Sequence, residues 1–428
     1  MKKIIFGLLF LFSANWALAQ ASAEVVSDDS AIQMAATITA DDMRKHLNIL
    51  ASDEFEGRET GTEGNAKAAK YIANHFKSLG LPTIGDDNSY YQNVAFTWTR
   101  WDEASIHVKG ERFKHLWEFL SFPSRNVSQT ELNTKEVVFL GFGIDDPNYS
   151  DYKGKNVRGK VIMIYKGEPL DKNGNSRVTG TPEPSEWTTN WEKKLMAAHK
   201  AGVKTVLIIE NDLQKEISSN RSQLVGPKMT LGKNNSGEKY ANSCYISTNV
   251  AKAIMGKRTR KVIKSRDKIR KKGTSKSVKM KTDFKLVQKK NERTLIGDNV
   301  LGYIEGTDPK LKDELVVVTA HYDHLGKRGD DIYNGADDNG SGTTTVLEVA
   351  EALVEAKKQG VGPRRSVLVM LVTGEEKGLL GSQYYAEHPI FPIENTIANV
   401  NVDMVGSCLL YTSPSPRDAT LSRMPSSA

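Results

Sequence analysis

The run Leu315-Val316-Val317-Val318-Thr319-Ala320, followed at once by His321-Tyr322-Asp323-His324, decides the fold. Six successive apolar or β-branched residues without polar alternation describe a strand buried on both faces. Two further runs share that texture. Ser366–Val372 leads into Thr373-Gly374-Glu375-Glu376, and Ile397–Val402 leads into Asp403. Between the first two strands, helical spacing from about Gly342 to Lys358 turns Val346, Val349, Ala350 and Leu353 inward. Apolar strands alternating with helices imply an α/β fold, a mixed and mostly parallel sheet sandwiched by helices. Such sheets bind ligands outside the carboxyl ends of their strands. His321, Glu375, Glu376 and Asp403 are therefore expected in one crevice. The stretch Gly335-Ala336-Asp337-Asp338-Asn339-Gly340-Ser341-Gly342, just before the helix, adds carboxylate at the same edge.

A histidine with several carboxylates and no thiolate suits Zn²⁺, Mn²⁺ or Co²⁺. A single Asp between two such strand ends can bridge two metals. Adjacent glutamates can divide the labour, one as ligand and one as general base. Each element alone is ordinary: strand-end histidines are usually structural, and Asp-Asp-Asn-Gly is usually a turn. Four of them, in order, at strand ends argue for a metal site. His46, His75, His107, His115, His199 and His388 have no comparable surroundings.

Working outward, residues 136–255 alternate short apolar runs with Gly- and Asn-rich turns and read as a β-rich insert. Within it, a helix over Trp191–Lys200 leads through Gly202 into a strand over Thr205–Ile209. Nearer the N-terminus, helical spacing begins around Asp41, a plausible N-cap, and a second helix spans about Asn65–Leu79 up to Gly80. The polar turn Asp53-Glu54-Phe55-Glu56-Gly57-Arg58 separates these helices.

The 428 residues carry a formal net charge of +7. Residues 252–293 hold 18 Lys/Arg against 3 Asp/Glu, so the rest of the chain is net acidic. From Val278 to Leu286 the even positions are mostly apolar and the odd ones mostly lysine, which describes a half-buried strand with a solvated basic face. Phe284 is the only aromatic in the basic segment, so base-stacking platforms are lacking and no nucleic-acid partner is expected. A mean hydropathy of −0.46 excludes a polytopic membrane protein. Two cysteines, Cys244 and Cys408, exclude a disulfide scaffold. Lys2-Lys3, the apolar run Ile4–Phe12 and Ala17-Leu18-Ala19 describe a secretory signal cut after Ala19, too short for a membrane span of about 20 residues. The mature chain is expected in the periplasm or outside the cell, with no stable membrane anchor.

Four stretches together resemble the co-catalytic di-zinc aminopeptidases of the clan MH metallopeptidases. They are Ala320–Gly326, Asn334–Gly342, Gly374-Glu375-Glu376 and Asn401–Gly406. The insert, in particular Tyr152–Val161 and the unit 191–210, resembles a protease-associated (PA) domain. The resemblance implies two Zn²⁺ and hydrolysis of N-terminal peptide bonds in peptide or protein substrates by a metal-activated water. It implies His321 and Asp403 on one metal, Glu376 on the other, Asp338 bridging both, and Glu375 as general base. Asp323 would hydrogen-bond the second nitrogen of His321, and the Asp338–Asn339 peptide would be cis. Glutamate-carboxypeptidase-like or glutaminyl cyclase-like relatives, or a non-catalytic binding protein, are the alternatives.

The implied domains are a signal at 1–19, a flexible lead-in at 20–38, and the first part of the peptidase domain at 39–130. The PA-type insert follows at 131–256, and the metal-binding part of the peptidase domain at 257–406. The resemblance also implies a fifth ligand, a histidine well beyond Asp403, yet no histidine follows His388. Residues 407–428 look like a translated adapter fused to a truncated gene. On that reading the chain is expected to lack an imidazole for the metal of Glu376, to express poorly and to be inactive.

Overall fold

The computed structural model describes residues 29–233, 236–274 and 276–406. The signal at 1–19 and the tail at 407–428 lie outside them. Residues 29–35, read as part of a flexible lead-in, form a short helix with no buried residue. In chain order, helices α1 (Ala40–Leu50) and α2 (Glu63–Ser78) precede the long strand β1 (Tyr91–Val108). Strands β2 (Gln129–Phe139), β3 (Val161–Tyr165), β4 (Thr205–Ile209), β5 (Lys228–Leu231) and β6 (Asn242–Ile246) follow, with helix α3 (Trp191–Lys200) before β4. Helices α4 (Thr248–Met255) and α5 (Thr259–Lys272) lead to β7 (Val278–Ile304). Further along come β8 (Leu315–His321), α6 (Gly342–Lys358), β9 (Ser366–Val372) and β10 (Thr396–Asn401).

One mixed sheet of twelve strands contains all ten of these. A parallel block β10-β8-β9 and a parallel block β2-β3-β4-β6 are joined through β7, which pairs antiparallel with both β9 and β2. At 27 residues β7 is far longer than the nine the alternation at 278–286 predicts. Antiparallel pairing with β1, from Val108↔Phe284 to Tyr91↔Val300, carries it through the polar stretch Lys289–Thr294. The parity of its first half holds: Met280, Phe284 and Leu286 are fully buried, while Lys279 and Lys281 face solvent. The basic run is thus a solvated face, tied in part by Lys135–Asp283 at 2.9 Å and Lys285–Glu131 at 3.2 Å.

Helix α1 starts one residue before Asp41, because the side chain of Thr39 accepts from the N–H of Asp42 and takes the capping role. Helix α6 has the predicted span, but its buried face is Val346, Leu347, Ala350 and Val354, with Val349 and Leu353 at the boundary. The expectation of full burial fails for β10. As the outer strand of its block it leaves Ile397 and Val400 about half exposed among the described residues.

Helix α6 also buries Glu348 against α1. Its Oε1 lies 3.3 Å from His46 Nε2, and His46 Nδ1 lies 2.7 Å from the hydroxyl of Tyr71. Burial, then the neighbouring carboxylates of Glu351 and Asp42, raise Glu348 from 4.5 to about 7. Burial likewise pushes His46 down to about 4. A carboxyl that holds its proton more tightly when folded costs stability as pH rises from 4.5 through 7. His46 acts in the opposite sense, costing stability as pH falls from 6.5 towards 4. Glu348→Gln removes only the first effect. Urea unfolding is expected to show the variant more stable than the parent at pH 8 and indistinguishable from it at pH 4.5.

Candidate metal centre

Parallel pairing of β8 with β9 and β10 brings three strand ends side by side, and the expected residues meet there. His321, the last residue of β8, is buried, and its Nε2 lies 3.3 Å from Asp338 Oδ1, 3.5 Å from Asp403 Oδ1 and 3.8 Å from Glu375 Oε2. Donors bound tetrahedrally to one zinc at 2.0–2.2 Å sit about 3.3–3.6 Å from one another, so His321, Asp338 and Asp403 have the spacing of a shared ion. A second group, His324, Asp338 and Glu376, also offers three ligand atoms within reach of one centre. His324 Nδ1 lies 2.8 Å from Glu376 Oε1 and 3.8 Å from Asp338 Oδ2. Both facing atoms are buried and have no hydrogen-bond partner, the condition of donors aimed at a common centre rather than at each other. The two groups share Asp338, one oxygen towards each.

His324 is not among the residues the sequence analysis expects to bind metal. Its signal was present: it lies three residues beyond His321, past the strand end, where the chain curls back over the crevice. Gly335 leaves room for its ring. It adopts φ +58°, and a Cβ there would meet the His324 ring at 2.5 Å. Asp323 also departs from expectation. His321 Nδ1 is 3.0 Å from the backbone carbonyl of Asp323 but 3.7 Å from its carboxylate. That carboxylate instead accepts from the Thr60 hydroxyl at 2.8 Å and from the N–H groups of Glu375 and Glu376 at 3.1 and 3.3 Å. Three well-placed donors outcompete an imidazole beyond hydrogen-bond reach. Asp323 thus holds the Glu375-Glu376 turn, and its carbonyl holds the histidine.

The Asp338 loop is fastened from two sides. The buried Asn339 accepts from the N–H groups of Gly342 (2.9 Å) and Met404 (3.2 Å) and donates to the carbonyl of Val402 (2.9 Å), flanking Asp403. The Asp338–Asn339 peptide is cis. From the other side comes Arg58, a residue the sequence did not single out. Fully buried, it donates to the carbonyls of Tyr322, Leu50, Asn334 and Gly335 at 2.5–2.8 Å. Burial lowers its pKa to about 10, while Asp323 and Asp338 hold it charged.

Five carboxylates (Asp323, Asp338, Glu375, Glu376 and Asp403) crowd this edge. Burial, then Glu376, raises Asp338, and burial, then the acids around it, raises Glu375. Burial would lower His321, yet Asp323, Asp403 and Glu375 carry it up to about 11. A field that strong favours cations, and oxygen-rich donors with two imidazoles suit a divalent ion of zinc's class.

Residues 299–409 match the model of Peptidase family M28. That match covers about a quarter of the chain. Over 100 residues it is 39% identical to a probable leucine aminopeptidase of Trichophyton verrucosum, a match covering 23% of this chain and 28% of that one. Over 110 residues it is 36% identical to aminopeptidase YwaD of Bacillus subtilis, covering 26% and 22%. A probable zinc metalloprotease of Pyrenophora tritici-repentis is 37% identical over 119 residues, covering 26% and 22%. The chain therefore spans less than a third of the length of these curated relatives. Among solved structures, an aminopeptidase from Aneurinibacillus sp. strain AM-1 is 19% identical over 88% of this chain and 73% of its own, with a TM-score of 0.48.

Arg58 yields a test of how the M28 segment is held. Arg58→Leu leaves four carbonyls without their donor and two carboxylates without their countercharge. It is expected to cost about 3–5 kcal/mol in denaturant unfolding. Arg58→Lys, which retains the charge but not the fork, should fall between the two.

Proposed function

We propose that the chain carries the metal-binding part of an exported zinc aminopeptidase. His321, Asp338 and Asp403 would hold one Zn²⁺, and His324, Asp338 and Glu376 a second, with Asp338 common to both. The single observation that carries this reading is the shared carboxylate, one oxygen towards each donor group. The names of the curated relatives support peptidase chemistry and zinc. The basic and apolar leader at 1–19 supports export. No helix among the described residues is long and apolar enough to cross a membrane.

Zinc held there supplies a Lewis acid for the scissile carbonyl and makes water a better acid. The chain's own residues then do the proton work. Glu375 Oε2 faces the first donor group at 3.8 Å from His321 Nε2 and is placed to take a proton from the attacking water. Burial strengthens its hold on that proton, which suits a base that must pass it to the departing amine. Asp323 fixes the Glu375 main chain during this exchange. The PA-type insert at 131–256 supplies β5, which pairs with β1 and approaches the turn after Glu376, and so shapes the approach to the centre.

In a complete peptidase carrying this metal-binding part, Glu375→Gln is expected to retain zinc and to lose turnover of leucine 4-nitroanilide by at least about 10²-fold; undiminished turnover overturns the assignment. Asp338→Asn is expected to lose both zinc ions after gel filtration, read by elemental analysis, and Asp403→Asn only one. Cleavage of N-acetylated but not free-amine peptides would mark a carboxypeptidase-like enzyme instead. Cyclisation of N-terminal glutamine would mark a cyclase. Zinc binding without any turnover would mark a binding protein.

A further inference from the structure

Glu376 stands on the rim of a cleft of about 900 Å³ that leads away from the two donor groups. Its walls come from the paired strands β1 and β5 and from segments beside the donor groups. Trp98 of β1 and Lys228 of β5 form one side, while Glu59, Arg328 and Lys377 form the other. Arg293 of β7 borders the adjoining recess, which shares Glu59, Trp98, Lys228 and Lys377. Away from Glu376 the cleft lining carries three cations, Lys228, Arg328 and Lys377, against one acid, Glu59.

Its one inner acid is already committed: Glu59 pairs with Lys377 at 2.7 Å and with Arg328 at 3.1 Å. Arg293 lies 5.0 Å over the Trp98 ring. Lys228 has no hydrogen-bond acceptor or ion-pair partner among the described residues. It is half-buried, and burial together with the nearby Lys377 lowers its pKa, which is how a desolvated cation facing another cation behaves. Nothing in the pairing of β5 with β1 requires a lysine here. Its backbone is opposite Thr99, and its side chain is left to the cleft.

We propose that this cleft binds a carboxylate of the substrate just beyond the scissile bond, with Lys228 as its main partner. The inference rests on the peptidase reading and narrows its substrate class. A free α-amine carries positive charge and is repelled by this wall, so the amine end must lie on the acidic side, at the donor groups. The chain that follows the scissile bond then enters the cationic cleft. Its carboxylate is either the free C-terminus of a dipeptide or the side chain of an Asp or Glu at the second position. Both present the same planar anion to Lys228.

The test uses three reduced-bond probes, uncleavable whether or not the protein is a peptidase: leucyl-ψ(CH₂NH)-alanine, its C-terminal amide, and leucyl-ψ(CH₂NH)-glutamic acid α-amide. Each is titrated calorimetrically into the full zinc-supplemented chain. At least one carboxylate probe is expected to bind about tenfold more tightly than the alanine amide, since each 1.4 kcal/mol is a factor of ten. Which of the two binds tightly identifies the carboxylate source. Lys228→Met should remove that preference while leaving the alanine amide's affinity unchanged, and Lys228→Arg should restore it. Equal affinity for all three probes, no binding of any, or a preference that survives Lys228→Met overturns the proposal. Failure of the peptidase reading shows separately, as absent turnover of Leu-Ala with the probe preference intact.

Discussion

Arg58 is a guanidinium with no contact with water, wedged beneath a crowd of carboxylates. Burying such a charge is tolerable only when its donors are met and its field is answered. Four backbone carbonyls meet the donors, and Asp323 and Asp338 answer the field. Those carbonyls belong to the end of α1, to the residue after β8 and to the loop that presents Asp338. One side chain therefore fixes three pieces of backbone that are distant in sequence. Asp323 works the same way from the opposite direction, holding Thr60 and the Glu375-Glu376 turn. The carboxylates left over by these two clamps are the ones free to receive cations.

The long strand β7 sets the larger geometry. It joins the parallel block that ends in His321, Thr373 and Asp403 to the block formed largely by residues 131–256, and its pairing with β1 spans both. Because β5 hangs on the middle of β1, a strand from the insert becomes the wall of a cleft beside Glu376. The acidic donor groups and the cationic wall are thus neighbours by construction. A peptide with an amine at one end and a carboxylate near the other fits that polarity.

Much of this was readable in the residues. Three apolar runs gave the parallel block: two are covered on both faces and so lack polar alternation, while the third lies at the block's exposed edge. Each run ended in an acid or an imidazole, which placed His321, Glu375, Glu376 and Asp403 at one edge. The parity of Val278–Leu286 gave a strand with one buried face and one solvated basic face. What escaped depended on contacts between distant segments. Arg58 sits in a stretch, Asp53–Arg58, whose composition is that of an exposed turn, and its burial follows only from how β8 and the Asp338 loop close over it. His324 looked like an ordinary neighbour of His321 until the curl past the strand end aimed it at Glu376. The choice of Asp323 between an imidazole and three other donors turns on tenths of an ångström that no spacing rule resolves.

On the proposed reading, Asp338 joins two metal positions, each completed by an imidazole from the same His321–His324 stretch. Zinc-edge anomalous diffraction from crystals of the zinc-loaded protein tests it most directly. Two anomalous peaks flanking the Asp338 carboxylate are expected, one about 2.0–2.2 Å from His321 and Asp403 and the other equally close to His324 and Glu376. A single peak, or a second peak that His324 does not approach, would contradict it.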